Sequence, residues 1–379
     1  MPNDYYVVQY KKINVGLVHI VNKECDKAYY ENCLSIQIRK DVNKNLKIAF
    51  SPEHGTSFYP VMNTLSEAGY QCIPVSCQSN PDPAFSGTKT PNPELPGAYE
   101  EVLKLAKQID AKLLLVTDPD GDRMGVGILH NGEYVVLNGN QTGALLLEYI
   151  LSSYEDLGIK VDNPCMFNTI VTSDIGEAIA RYHGCDNERT LTGFKYIGGV
   201  IADLEKVGEE KRFLLGFEES CGYLTNPAVR DKDAVNAMIL IAEMANDYKH
   251  KGITLVDRLE QLYNEFGDYK TKLLTYEFKG VEGLQKIKDL MKLVREDNIT
   301  NIIPGVDHIG DYKKGVITYS DHIEPTNLPI SDVVKFFLKD NETITIRPSG
   351  TEPKLKAYIF ANGQANLDKL VKVIENIIK

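Results

Sequence analysis

The sequence predicts an α/β protein: two consecutive three-layer α/β domains with mixed sheets, followed by an α+β C-terminal domain. Three observations carry this. Short β-rich runs alternate with helical apolar spacing from about residue 45 to residue 266, the order that a helix-covered sheet requires. From Gly267 onward the texture changes to clustered strands around two helices. The 379 residues, 43% of them hydrophobic, are enough for more than one core, and ordinary domain sizes make that two or three.

After a leader at 1–27, the first domain is expected over 28–138. Its "LKIAFSP" is a β-rich run, "YPVMNTLSEAGY" has helical spacing that stops at Gly69, and "QCIPVS" is a second strand. A second helix, "GAYEEVLKLAKQID", and a third strand, "KLLLVT", complete a βαβαβ unit. Eighteen residues without regular pattern, "NPDPAFSGTKTPNPELPG", join the second strand to the second helix. At that length a connection inside a compact unit is more often functional than a plain linker. "GVGIL", "HNGE" and "YVVLN" then read as two strands about a turn.

The second domain, 139–266, opens with the helical "QTGALLLEYILSSYEDLG". Strands follow at "CMFNTIV" and "FLLGFE", and helices at "DIGEAIARYHG", "YIGGVIADLEKVG" and "DAVNAMILIAEMANDYKHKG". The last helix is expected to be long and amphipathic. The third domain, 267–379, holds strand "KTKLLTYEF", helix "VEGLQKIKDLMKLVRED", strands "GVITYS" and "VVKFFLKDN", the segment "ETITIRPSGTEPKLKAYIFA", and a terminal helix.

A formal net charge of −11 argues against nucleic acid, which needs a basic footprint. An anionic substrate therefore requires a locally basic site. No run approaches the roughly 18 apolar residues of a membrane span: even "AMILIAEMA" is cut by Glu243, and "MPNDYY" lacks the pattern of a signal peptide. A cytoplasmic setting without a membrane partner is expected. Seven scattered cysteines make neither a disulfide framework nor a zinc pattern and read as reduced, mostly buried small hydrophobes.

Chemistry concentrates in four segments. "TDPDGDR", 117–123, puts Asp118, Asp120 and Asp122 at the carboxyl end of a strand, with Pro119 and Gly121 supplying bends. Open α/β sheets bind ligands there, and hard oxygen donors suit Mg²⁺ or Mn²⁺. An EF-hand fails, because Arg123 and Leu129 stand where its Gly and Glu belong. "RPSGTEPK", 347–354, offers the fork of Arg347, the hydroxyls of Ser349 and Thr351, the open backbone of Gly350 and the charge of Lys354, a combination suited to phosphate. "GFEESCGYL", 216–224, presents Glu218 and Ser220 on one side of an extended loop, suited to sugar hydroxyls, while Glu219 alternates away. "TLTGFKYIGG" places Lys195 in a Gly-flanked turn before a helix, where an ammonium contacts phosphate or moves a proton. Each has an ordinary alternative, a solvated turn or a surface charge; a paired-carboxylate glycosidase is a further rival for the glutamates.

These four segments, in this order, resemble the α-D-phosphohexomutase superfamily, which includes phosphoglucomutases and phosphomannomutases; "SPEHGTS", with His54, and "PDPAF" with "PNPE" are similar to the phosphoglucomutase-like branch. The resemblance covers nearly the entire chain. It implies an Mg²⁺ site at Asp118, Asp120 and Asp122, Arg123 beside the transferring phosphate, and Glu218 and Ser220 on the sugar. It also implies Arg347, Ser349, Gly350 and Thr351 on the distal phosphate, with Lys195 and His54 as further catalytic candidates. The implied reaction exchanges hexose 1-phosphate and 6-phosphate, glucose-type, through a hexose bisphosphate.

One departure is plain: family members carry a phosphorylated serine in a first-domain loop close to Thr-Ala-Ser-His-Asn-Pro, and no serine here is followed by His-Asn-Pro. The chain is therefore expected to lack most of that domain, the leader being a remnant of its tail, and to be inactive alone. A separately encoded or removed N-terminal domain is the expected partner. The alternative is a phosphosugar-binding or regulatory protein without mutase chemistry. A magnesium phosphatase requires a nucleophilic aspartate in a different topology.

Overall fold

A computed structural model describes residues 23–350 and 352–378; the leader up to residue 22 and the expected phosphate ligand Thr351 lie outside the described residues. Helix α1, Lys23–Ser35, runs through residue 27 and packs on α2, Phe58–Glu67. The first sheet takes β1 (Lys47–Ser51), β2 (Gln71–Pro74), β3 (Leu113–Thr117), β4 (Met124–His130) and β5 (Glu133–Leu137) in the order β2-β1-β3-β4-β5. β1 pairs in parallel with β2 and β3, whereas β4 and β5 are antiparallel, so the sheet is mixed. Helix α3, Glu100–Ile109, buries Val102 and Ala106 against this sheet.

The second sheet holds β6 (Cys165–Thr169), β7 (Asp186–Thr190), β8 (Phe213–Glu218) and β9 (Gly222–Leu224) in the order β7-β6-β8-β9, with only β9 antiparallel. Its helices are α4 (Gly139–Leu157), α5 (Ile175–Tyr182), α6 (Phe194–Lys206), α7 (Ala234–His250) and α8 (Leu255–Phe266). Asn138 starts α4 with a reciprocal capping box to Gln141.

Helix α7 departs from expectation. It is not amphipathic: every residue from Ala234 to Tyr248 is buried. The reason is its position, for it packs against α1, α2, β3 and β4 of the first domain as well as α4 and β9 of its own, and a helix covered all round needs no polar face. Its Glu243 is retained because the carboxylate accepts the backbone N–H groups of Ile38 and Arg39 and the hydroxyl of Tyr149. One apolar core thus runs from Cys33 to Leu262, across both domains.

The C-terminal domain is an antiparallel seven-stranded sheet: β10 (Tyr269–Glu277), β11 (Val306–Asp311), β12 (Val316–Thr318), β13 (Ile323–Pro325), β14 (Val334–Leu338), β15 (Thr343–Pro348) and β16 (Lys354–Asn362), ordered β10-β16-β15-β14-β11-β12-β13. Helices α9 (Gly280–Leu293) and α10 (Gln364–Ile378) bury Ile287, Leu290, Leu370 and Ile374 in its own core. Tyr312, Val333, Tyr358 and Phe360 form a separate cluster with Ile170, Val171 and Leu191 of the second domain. That cluster seats the phosphate-cradle candidate beside the second sheet.

Candidate functional site

Strand β3 delivers the acidic loop. Asp118 Oδ1 accepts the backbone N–H groups of Asp122 (3.2 Å) and Arg123 (3.1 Å), and Gly121, at φ +76°, makes the return. Burial pushes the Asp118 carboxyl up to about 6, with the Arg123 N–H opposing and the charge of Asp122 adding. Asp120 is exposed, and its carbonyl accepts the Thr56 hydroxyl at 2.9 Å. Asp122 meets Lys232 Nζ at 2.7 Å through Oδ2, while its Oδ1 is buried without a hydrogen-bond partner.

The three carboxylates do not converge. Among the described residues no group of three or more His, Cys, Asp or Glu side chains is arranged to hold a metal ion. The donor set nevertheless fits a hard cation, because Asp122 keeps one buried carboxylate oxygen without a hydrogen-bond partner in the loop that also carries Asp118.

Arg123 is held from the proline-rich connection: Nη1 lies 2.6 Å from Glu94 Oε1, while Nε is 3.8 Å from Asp118 Oδ2. The connection is itself fastened by His54. Gly87 N–H donates to His54 Nε2 at 3.1 Å, and Nδ1 sits 2.8 Å from the Asn80 carbonyl, so the proton belongs on Nδ1. With both nitrogens engaged by backbone, His54 has no free nitrogen for the expected catalytic role; it is a pin for the loop.

The β8–β9 hairpin carries the expected sugar ligands. Its turn is Glu219, Ser220 and Cys221, the last at φ +64°. Glu218 is 4% exposed and accepts the Gly193 N–H at 2.7 Å, which joins the Lys195 segment to the hairpin. Burial raises its pKa, against the pull of that N–H and of Lys232 and Arg123. Ser220 is half-buried, and Lys195 is exposed with its ammonium 4.9 Å from the Tyr196 ring centre. A side chain at Gly139 would strike the Glu219 carbonyl, so glycine lets α4 begin hard against the hairpin.

The hairpin also docks on the acidic loop. Met124 N–H donates to the Cys221 carbonyl at 2.9 Å, and Arg123 bridges to Gly222. Asp118, Asp122, Arg123, Glu218 and Lys232 therefore meet where the two domains join. Behind the hairpin, a cavity of about 390 Å³ is lined by Glu94, Asn140, Glu219, Lys272 and Tyr358, among others, from all three domains. The Glu219 carboxyl, which lines this cavity, is pushed up to about 8 by burial and by Glu218, with Arg347 opposing from the C-terminal domain.

Arg347, at the end of β15, is half-buried and has no ion-pair or hydrogen-bond partner for its guanidinium among the described residues. Ser349 Oγ accepts the Glu352 N–H at 3.3 Å, Gly350 is exposed, and Lys354 pairs with Glu352 at 2.8 Å. Two residues at the centre, Glu94 and Lys232, are absent from the sequence-based candidates. Glu94 ends "PNPE", and Lys232 lies in the charge run "RDKD" before α7; neither spacing shows that its partner comes from another segment.

Three family models of phosphoglucomutase/phosphomannomutase match in succession: α/β/α domain II over residues 27–131, α/β/α domain III over 138–266, and the C-terminal domain over 280–377. The chain belongs to the α-D-phosphohexomutase superfamily. Among relatives of this superfamily, a phosphoglucomutase of Staphylococcus epidermidis is 36% identical over 349 residues, 91% of this chain and 62% of that protein. The chain thus spans less than two thirds of that relative's length. Parafusin, a phosphoglucomutase from Paramecium in its open form, shares the superfamily fold at a TM-score of 0.65 and 18% identity, over 94% of this chain and 62% of its own. An N-acetylphosphoglucosamine mutase of Aspergillus fumigatus, in complex with glucose 1,6-bisphosphate, aligns at a TM-score of 0.52 and 16% identity, over 93% and 64%.

Proposed function

We propose that this chain is the metal-, sugar- and phosphate-binding part of a phosphohexomutase that exchanges hexose 1-phosphate and 6-phosphate, glucose-type, with the phosphoryl group carried on a serine supplied from outside these 379 residues. The observation that carries the proposal is the docking of the β8–β9 hairpin on the acidic loop, with Met124 bonded to Cys221. It joins charge-handling residues to hydroxyl-binding ones, as moving a phosphoryl group between two sugar oxygens demands. The phosphoglucomutase name of the Staphylococcus relative and the glucose 1,6-bisphosphate held by the Aspergillus mutase support the substrate class.

In this reading Asp118, Asp120 and Asp122 hold Mg²⁺, which when bound offsets the charge of the phosphoryl group in transfer. Arg123, braced by Glu94, keeps guanidinium N–H groups for the transferring phosphate. Glu218 spends Oε1 on Gly193 and keeps Oε2 for a sugar hydroxyl, beside the Ser220 hydroxyl. Arg347, Ser349, Gly350 and Thr351 take the distal phosphate. Lys195 contacts phosphate or carries the proton of the reacting hydroxyl. The cytoplasm is the proposed setting, where seven unpaired thiols persist.

A coupled mutase assay tests the proposal, with glucose 1,6-bisphosphate supplied and its binding followed by calorimetry. The expected result is binding without turnover by this chain, and turnover once the serine-bearing first domain of a phosphoglucomutase is added or fused. Turnover by the chain alone would overturn the serine assignment. Binding with no turnover in the fused protein would favour a phosphosugar-binding protein instead.

A further inference from the structure

We propose that a cleft between α9 and the end of β11 is a second anion site, for a small molecule bearing two phosphate groups. It does not depend on the mutase reading, and none of its residues belongs to the Arg347 loop. The cleft holds about 380 Å³, within the usual range for small-molecule sites. Five of its lining residues are basic, Lys288, Lys292, Arg295, Lys313 and Lys314, and two are acidic, Asp311 and Asp332, in a chain whose net charge is −11.

The two aspartates are committed to the floor. Arg295 Nε lies 3.1 Å and 3.2 Å from the Asp311 oxygens, Nη2 lies 2.7 Å from Asp332, and Nη1 donates to the Met291 carbonyl at 2.9 Å. The guanidinium is thereby spent on structure. Lys313 stands 3.9 Å from Asp332 and Lys314 3.8 Å from Asp311, beyond hydrogen-bond reach. Lys288 and Lys292 make no ion pair among the described residues.

Four exposed lysines therefore line one cleft, two of them without an ion pair among the described residues and two with only a long contact to aspartates that Arg295 already holds. The dipole at the end of α9 accounts for Lys292, but not for Lys313 and Lys314, which reach the same place from the turn after β11. Two lysines on each wall match two phosphate dianions better than one.

Pyrophosphate titrated into the Arg347→Ala chain at fixed ionic strength tests the site with the expected phosphate loop disabled. We expect pyrophosphate to bind, and K288E/K292E and K313E/K314E each to weaken it by about tenfold or more, the scale of lost charge-assisted contacts. K369E/K372E on α10, with the same charge change, is expected to leave affinity unchanged. Equal weakening by the α10 variant, no effect of either cleft variant, or orthophosphate binding as tightly as pyrophosphate would overturn the proposal. A hexose bisphosphate and a nucleoside diphosphate, titrated in turn, should include one that binds in the same lysine-dependent way; binding of neither would overturn the assignment to a small diphosphorylated molecule.

Discussion

Lys232 Nζ lies 2.7 Å from Asp122 Oδ2, and this contact ties the acidic loop to a residue 110 positions further along the chain. Burial works against the lysine's charge, but Asp122 and Asp231 raise its pKa overall. The same ammonium acts on Glu218 and lowers its proton affinity. Lys232 therefore stands, by charge and position, in competition with any cation that Asp122 would bind.

Lys232→Gln should strengthen Mg²⁺ binding by about tenfold, the order expected when a charged competitor for Asp122 is removed. Asp120→Asn should weaken it, although Asp120 is exposed, because the loop otherwise offers only the Asp118 and Asp122 carboxylates. Titration calorimetry of the three proteins decides the matter. Identical heats would mean that the loop is a solvated turn balanced by Lys232.

His54→Ala should loosen the proline-rich connection without touching the phosphate loop. Two backbone contacts are lost, to Asn80 and Gly87, which together are worth about 1–3 kcal/mol. Gly87→Ala should act similarly, since its Cβ would stand 2.7 Å from His54 Nε2. Hydrogen exchange over residues 80–97 should quicken in both variants. Unchanged protection there would return His54 to the catalytic candidates.

Periodicity made most of the three sheets and most helices legible, though not α1, the short strands β9 and β13, or β11, "VDHIGD", whose apolar residues are few; motif chemistry singled out Asp118, Glu218 and Arg347 as candidates. What escaped has physical reasons. β7, "DNERT", is polar and mostly exposed at a sheet edge, so it lacks a strand's apolar signature. α8 was readable from the Thr254 and Asp257 capping box and its buried Leu255, Leu259 and Leu262, yet falls outside the elements assigned from sequence. The Arg123–Glu94 and Asp122–Lys232 pairs join residues far apart in the chain, and a motif carries no information about partners it does not contain.

Lys335 should make stability rise with pH in the neutral-to-alkaline range. It is 1% exposed, its ammonium donates to the Ile170 carbonyl at 2.9 Å, and the Phe337 ring lies 5.0 Å away. Arg189 already takes the carboxylates of Asp174 and Glu177. Burial and Arg189 depress the Lys335 pKa to about 7, against the pull of Asp174 and Glu177. Between that value and the unfolded one near 10.4, the unfolded chain binds the proton and the folded chain does not. Stability therefore climbs through this window by up to about 1.4 kcal/mol per pH unit and is lowest once Lys335 is charged. Urea unfolding should show that slope in the parent and lose it in Lys335→Met; equal slopes would mean that the lysine reaches solvent.

Arg347→Ala should abolish binding of a hexose monophosphate at the β15–β16 loop, and Arg347→Lys should recover only part of it, because the lysine keeps the charge but loses the fork. A charge-assisted contact of this kind is worth about 1.5–3 kcal/mol. A second signature follows from Glu219, whose carboxyl is raised to about 8 by burial and Glu218 while Arg347 opposes the rise. A phosphate dianion seated on Arg347 cancels that opposition, so binding should lift the Glu219 pKa further and draw a proton from solution near pH 8. Affinity should then fall as pH rises through that range. Calorimetry at pH 8 in two buffers of different ionisation enthalpy measures the uptake, which should vanish in Glu219→Gln while binding persists. Buffer-independent heats in the parent would show that phosphate binds away from Arg347 or that Glu219 is not coupled to it, and the affinity of Arg347→Ala separates those two outcomes.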